Sequence, residues 1–239
     1  MPERVLIVNA DDFGRSPGVN SGVIRAHEDG IVTSATLMVR WPAAEEAAAY
    51  ARRQTLGVGL HVDLGEWERR DGEWEARYEV VDTSDEQAVA AEIGQQLGRF
   101  QSLMGRPPTH LDSHQHVHRE DPARTAVLRF AHRLGVPVRE LTPGIGYTGF
   151  HGQDTEGNPL PEGISVESLV REIETLPVGV TELGCHPAEE ADHHSAYGQQ
   201  RLRELEALCD PRVAGAIERA RVTLRSFGDL TGRFWPPVE

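Results

Sequence analysis

The chain contains no lysine; all 24 of its basic residues are arginine. That absence excludes Schiff-base chemistry, a pyridoxal-phosphate anchor and a P-loop lysine, each of which needs an ε-amine. Cysteine is scarce as well. Cys185 and Cys209 are too few for a disulfide scaffold or a Cys-rich zinc site, and both read as buried thiols. No apolar run approaches the ~20 residues that span a bilayer, and the mean hydropathy of -0.44 is that of a soluble chain. Nor is there a basic patch. The formal net charge of -14 repels phosphate backbones and anionic membranes, so a nucleic-acid or membrane role is excluded and a neutral substrate fits better. Met1-Pro2-Glu3-Arg4 leads straight into an apolar run, with neither a charged leader nor a cleavage site, so cytoplasmic residence is expected.

At 239 residues the chain suits one α/β barrel or sandwich, and no linker or repeat divides it, so residues 1–239 are read as a single domain. Val5 to Val8 is a β-branched run typical of a buried parallel strand. Further strands are expected at about Ile31 to Val39, Val58 to Val62, Val136 to Arg139, Val178 to Cys185 and Val222 to Leu224. Helical spacing recurs between them: Val19, Val23 and Ile24; an Ala-rich stretch from Pro42; and the stripe Val89, Ile93, Leu97, Phe100 and Met104 behind a Thr83-x-x-Glu86 capping box. Val127, Leu128, Ala131 and Leu134 mark another helix. Ser165 caps the next, and two more run at about Tyr197 to Leu208 and Pro211 to Arg219. This alternation predicts a mainly parallel sheet with helices outside, and functional groups at the carboxyl ends of the strands. Two stretches break the rhythm. Residues 65–82 are polar and aromatic and read as an insertion or short hairpin, while Leu141 to Ile164 is rich in Gly and Pro and long enough to be a lid.

The densest chemistry lies in Thr109 to His118, with four imidazoles and a carboxylate in ten residues. Extended, it would place His110, Asp112, His114, His116 and His118 on one face. Pro107 and Pro108 disfavour helix there, so a strand running into a loop is expected. A solvated His-rich loop is the competing reading. Asp11 and Asp12, His61 and His186 each follow a short apolar run and precede a turn. Adjacent Asp11 and Asp12 meet one cavity only if the chain bends, as Phe13-Gly14 suggests; capping the next helix is their alternative role. Asp12 with His61 and His114 makes a carboxylate and two imidazoles with positions open to water and substrate. Such a set suits zinc, iron, cobalt, nickel or manganese, with magnesium less natural for imidazole.

Asn9-Ala10-Asp11-Asp12-Phe13-Gly14, His61-Val62-Asp63-Leu64, His110 to His118 and Cys185-His186-Pro187-Ala188 resemble, in order, the signature blocks of the YdjC family, which includes chitooligosaccharide deacetylases. Ser195-Ala196-Tyr197, Arg201 and Leu205 continue the similarity. The resemblance implies a (β/α) barrel-like fold, a distorted or incomplete TIM-type barrel related to polysaccharide deacetylases. It also implies one divalent ion, magnesium or zinc first, held by Asp12, His61 and His114, with Asp11 as general base and His186 as general acid. Removal of an N-acetyl group from a sugar or oligosaccharide is the implied reaction, and a homodimer the implied assembly. Bottom-up, Asp112 would orient a histidine through its second ring nitrogen, and His116 would touch substrate or serve packing. Arg139 is a cleft arginine able to bind an anion, which keeps phosphoester hydrolysis open beside deacetylation. A carbohydrate- or metal-binding protein without turnover is a third reading, opposed by Asp11 and His186, which binding alone does not need. The chain departs from the family's pattern after His61, where Glu66 to Arg77 is charged and carries Trp67 and Trp74. Each could stack on a sugar face, although a Trp in a polar insertion more often covers an apolar patch. Tyr147, Phe150 and His151 are loop candidates of the same kind.

Overall fold

A computed structural model of the chain describes residues 3–70, 72–154, 158–191, 197–230 and 234. Its organising element is β1 (Arg4–Phe13), whose apolar run sits fully buried at the middle of a parallel sheet. The sheet order is β6-β3-β2-β1-β8-β7, built from β2 (Ser34–Leu37), β3 (Gly57–Val62), β6 (Leu111–Ser113), β7 (Ile145–Gly149) and β8 (Gly179–Cys185). Along one side β1 changes partner. Its first residues pair with β9 (Val222–Leu224) and its last with β2, while β8 runs along the other side. The result is a curled half-barrel. Among the described residues no ladder joins β6 to β7, so the barrel stays open there. The expected strand at Val136 to Arg139 shrinks to one bridge, between Val138 and Leu111.

Helices α1 (Pro17–Glu28), α2 (Ala44–Ala51), α3 (Glu86–Met104), α4 (Ala123–Leu134), α5 (Val166–Thr175), α6 (Gln200–Leu208) and α7 (Pro211–Ala220) follow the apolar spacing read from the sequence. The α3 stripe of Val89, Ile93, Leu97, Phe100 and Met104 is buried throughout. Its cap differs from expectation. Asp85, rather than Thr83, accepts the backbone N–H groups of Gln87 and Ala88 at 2.9 and 3.0 Å, because a carboxylate one residue before the helix reaches two free donors at once. Ser165 does cap α5, accepting the Ser168 N–H at 3.1 Å.

The 65–82 stretch is a hairpin of β4 (Gly65–Arg70) and β5 (Glu73–Glu79), antiparallel and paired with itself rather than with the main sheet. The 141–164 stretch is not one open lid. It contains β7, which pairs in parallel with β8 from Ile145 to Gly149 and makes one edge of the sheet. Ser195-Ala196 and Trp235-Pro236-Pro237 lie outside the described residues. No helix among the described residues is long and apolar enough to cross a membrane.

One packing contact bears directly on the rim. A Cβ on Gly22 of α1 would stand 2.3 Å from the Cα of Ala188 and 2.6 Å from its nitrogen, a clash with backbone two residues beyond His186. Gly22→Ala is therefore expected to destabilise the fold by about 1–3 kcal/mol and to displace His186. Thermal melting should show a loss of about 2–4 °C per kcal/mol, and the activity assigned below should fall with it; an unchanged melt would contradict the contact.

Candidate metal centre and active site

The carboxyl ends of β1, β3, β6 and β8 deliver Asp11, Asp12, His61, Asp112, His114 and His186 to one rim. In a regular strand Asp11 and Asp12 would point apart. Asp12 instead adopts φ 63°, and the β1–β2 register slips between Ala10 and Phe13, so both carboxylates face one cavity. The bend falls one residue before the expected Phe13-Gly14. A left-handed Asp is costly backbone, tolerated where a site needs it.

Asp12 Oδ1 lies 3.3 Å from His61 Nε2 and 3.0 Å from His114 Nδ1. The three ligand atoms lie within 4.8 Å of one another. Asp12 Oδ1 is also buried without a hydrogen bond of good geometry, an unusual condition for a carboxylate oxygen. A divalent cation satisfies it. The three residues thus fit a metal, with two imidazoles and one carboxylate and no thiolate.

Each of these side chains is held from behind. His61 Nδ1–H donates to Asp112 Oδ1 at 2.7 Å, which turns Nε2 toward Asp12 as the nitrogen that would bind an ion. Asp112 in turn accepts from Thr36 Oγ1 at 3.0 Å. His114 Nε2 lies 3.3 Å from Glu66 Oε2, and Glu66 pairs with Arg15 at 2.6 Å. Arg201 donates to Asp12 Oδ2. Burial lowers the pKa of His61, but Asp112, Asp12 and Asp11 outweigh it and draw it up to about 10. The ring sits where positive charge is wanted.

The histidine stretch departs from the single-face strand. β6 ends at Ser113, and Gln115 and His116, at φ 49° and 55°, wind His114 to Arg119 into a 3-10 turn. Side-chain bonds close that turn. Ser113 Oγ accepts the His118 N–H at 3.0 Å, and the Gln115 amide clasps the Trp67 backbone in both directions at 2.8 and 2.7 Å. His110 therefore lies beneath the site, stacked on Phe227 at 3.8 Å, with burial pushing its pKa down to about 3. His118 turns to Ser113, 2.6 Å from Nδ1 to Oγ. His116 lines the cavity, with Nδ1 3.4 Å from Glu140.

Arg139 is not an anion-binding arginine at the mouth. It is buried, and its guanidinium is committed to Asp11 at 2.6 and 2.7 Å, to Asp112 at 2.8 Å and to Glu182 at 2.7 Å. Burial alone would raise the Asp11 pKa; the charge and paired bonds of Arg139 hold it well below the usual carboxylate range. His186 Nε2 lies 3.7 Å from Asp11 Oδ2, and burial keeps its pKa well below that of a free imidazole. Glu204 accepts both the His186 backbone N–H and the Tyr197 hydroxyl, fixing the segment after β8. Sequence reasoning missed Glu66, Arg15, Glu182 and Glu204. Arg15 follows the Asp-Asp-Phe-Gly block directly, and only that adjacency could have drawn attention to it.

Asp11, Asp12, His61, Glu66, His114 and His186 border a cavity of about 460 Å³. The model of YdjC-like proteins matches residues 5–219. The chain belongs to the YdjC-like family. Among YdjC-like relatives it is 34% identical to a carbohydrate deacetylase of Geobacillus stearothermophilus, over 95% of this chain and 98% of that one. It is 35% identical to a chitooligosaccharide deacetylase of Serratia marcescens, over 95% and 100%. Among solved structures an Enterococcus faecalis V583 protein aligns with TM-score 0.75 at 27% identity, covering 94% of this chain and 98% of that one. A family 4 carbohydrate esterase from Streptomyces lividans aligns with TM-score 0.56 at 11% identity over 94% and 93%, a likeness of fold. The YdjC-like half-barrel thus shares its fold with that esterase.

Proposed function

We propose that this YdjC-like chain is a metal-dependent hydrolase that removes the N-acetyl group from an N-acetylated sugar or oligosaccharide. The observation that carries the reading is the convergence of Asp12 Oδ1, His61 Nε2 and His114 Nδ1 beside a paired Asp11 and His186. The names of the relatives supply the substrate class. Asp12, His61 and His114 would hold the ion, zinc or magnesium first. A divalent ion there supplies Lewis acidity toward a water and an amide oxygen. Asp11, oriented by Arg139, takes the proton from the attacking water. His186 hands a proton to the departing sugar nitrogen; a buried imidazole holds that proton weakly and releases it readily. At 3.7 Å the two groups are neighbours short of a hydrogen bond, so one proton serves both in turn once they close on it.

Phosphoester hydrolysis loses its main support, since Arg139 is bound to three carboxylates. Cytoplasmic residence and a homodimer remain part of the proposal. The deciding experiment measures acetate released from N-acetylglucosamine oligomers by metal-loaded, chelator-stripped and reloaded protein. Release should vanish on stripping and return on reloading; turnover indifferent to the ion would overturn the mechanism.

A further inference from the structure

Trp74 stands apart from the other aromatic residues of the hairpin. Trp41 and Tyr78 pack edge to face at 5.7 Å, and the Tyr78 hydroxyl donates to Asp63 at 2.9 Å, tying the hairpin base to the end of β3. Trp67 is partly buried, its backbone clasped by Gln115. Trp74 is 58% exposed, yet it lines the same cavity as Asp12, His61 and His114. More than half of its surface is open, so it is not a Trp sealed against an apolar patch. An indole left open at the edge of a polar cavity is a flat apolar surface offered to a ligand.

The hairpin sets how far that surface lies from the chemistry. Glu66, at its base, stands 3.3 Å from His114 Nε2, whereas Trp74 pairs with Arg69, three residues further along β4. At the strand rise of ~3.3 Å per residue the offset is about 10 Å. That is beyond the pyranose ring carrying an acetamide placed at the three metal-binding residues. Around the mouth, Arg119, Gln153 and Asp154 also line the cavity and can meet hydroxyl groups, while Trp74 offers an apolar face. A sugar ring has that combination, with an apolar face and polar edges. The base of the hairpin is tied to Asp63, Arg15 and His114 and by the Gln115 side chain on the Trp67 backbone, so the hairpin rises from a fixed root beside the cavity.

We infer that Trp74 forms a sugar-ring subsite at the mouth of the cavity, so that the chain acts on N-acetylated oligosaccharides of two or more rings in preference to monosaccharides. The inference rests on the deacetylase reading for the acetyl group but not for the stacking, and its test separates the two. Trisaccharide and monosaccharide of N-acetylglucosamine are titrated calorimetrically into metal-loaded Asp11→Asn protein, with and without Trp74→Ala or Trp74→Phe. Acetate release is followed in parallel with Asp11 intact. Trp74→Ala should weaken trisaccharide binding about tenfold more than monosaccharide binding, lower the trisaccharide to monosaccharide ratio of kcat/KM likewise, and be partly rescued by Trp74→Phe. Equal losses for both sugars, no loss for either, or no trisaccharide binding at all would overturn the subsite. A change of oligomeric state in Trp74→Ala, read by light scattering, would overturn it too, by showing that a second copy of the chain covers the indole. Oligosaccharide binding that depends on Trp74 without any acetate release would leave the subsite standing and sink the deacetylase reading instead.

Discussion

Asp11→Asn is expected to keep its divalent ion and lose about 10²–10⁴-fold in kcat, the range for removing a positioned general base. The substitution is isosteric, and Arg139 retains Asp112 and Glu182, so the fold should survive it. Asp12→Ala should behave in the opposite way. It removes the oxygen on which His61 and His114 converge and leaves Arg201 without its carboxylate, so metal content should fall toward zero together with activity. Metal analysis of the two purified variants beside their acetate release separates the roles. Equal metal loss in both would mean that the neighbouring aspartates have been assigned the wrong way round.

Arg139→Met should be the most destabilising single change near the site. The guanidinium pairs with Asp11, Asp112 and Glu182, all buried, and removing one partner of a buried ion pair costs about 3–5 kcal/mol. Thermal melting should drop by roughly ten degrees or more. Arg139→Lys should rescue it only partly, because an ammonium lacks the planar fork that spans three carboxylates. The deficit also has a sign in pH. Although burial acts to raise both, Asp11 and Asp112 have folded pKa values below those of free aspartate through Arg139, so their stabilisation is present above about pH 4 and is lost as pH falls. Without the arginine, burial would raise both values, and stability would fall as pH rises. Urea unfolding should therefore show native and variant furthest apart near neutrality and closer toward about pH 4; a constant gap would show that the loss is one of packing rather than charge.

Much of this was legible before any coordinates. Periodicity located α1, α3 and α5 because their apolar residues recur at helical spacing, over about four turns in α3, and the β-branched run of β1 announced a central strand. The histidine stretch was legible as a strand running into a loop, but the point where the strand stops was not, for a physical reason. Alternating polar residues mimic a half-buried strand, but pairing stops where Ser113 and Gln115 offer side-chain bonds that favour a turn. Strand β7 was hidden because Ile145-Gly146-Tyr147-Thr148-Gly149 lacks an apolar alternation; its order comes from pairing with β8, a long-range contact. Asp11, Asp12, His61 and His186 could be picked out because each follows an apolar run, and Asp112 and His114 because they lie in the histidine-dense stretch. Their supports could not. Glu66 lies 48 residues from His114, and Glu182 lies 43 from Arg139, distances over which no local pattern operates.

The hairpin of β4 and β5 forms a two-stranded sheet of its own, joined to the rest through Glu66, Tyr78 and the Gln115 clasp. On the Trp74 subsite proposed above, ligand preference and bond-breaking would be built on separate scaffolds. An engineer could exchange the tip of this finger for one of different length or composition, retuning which polymers are accepted, while the parallel strands beneath keep their register untouched.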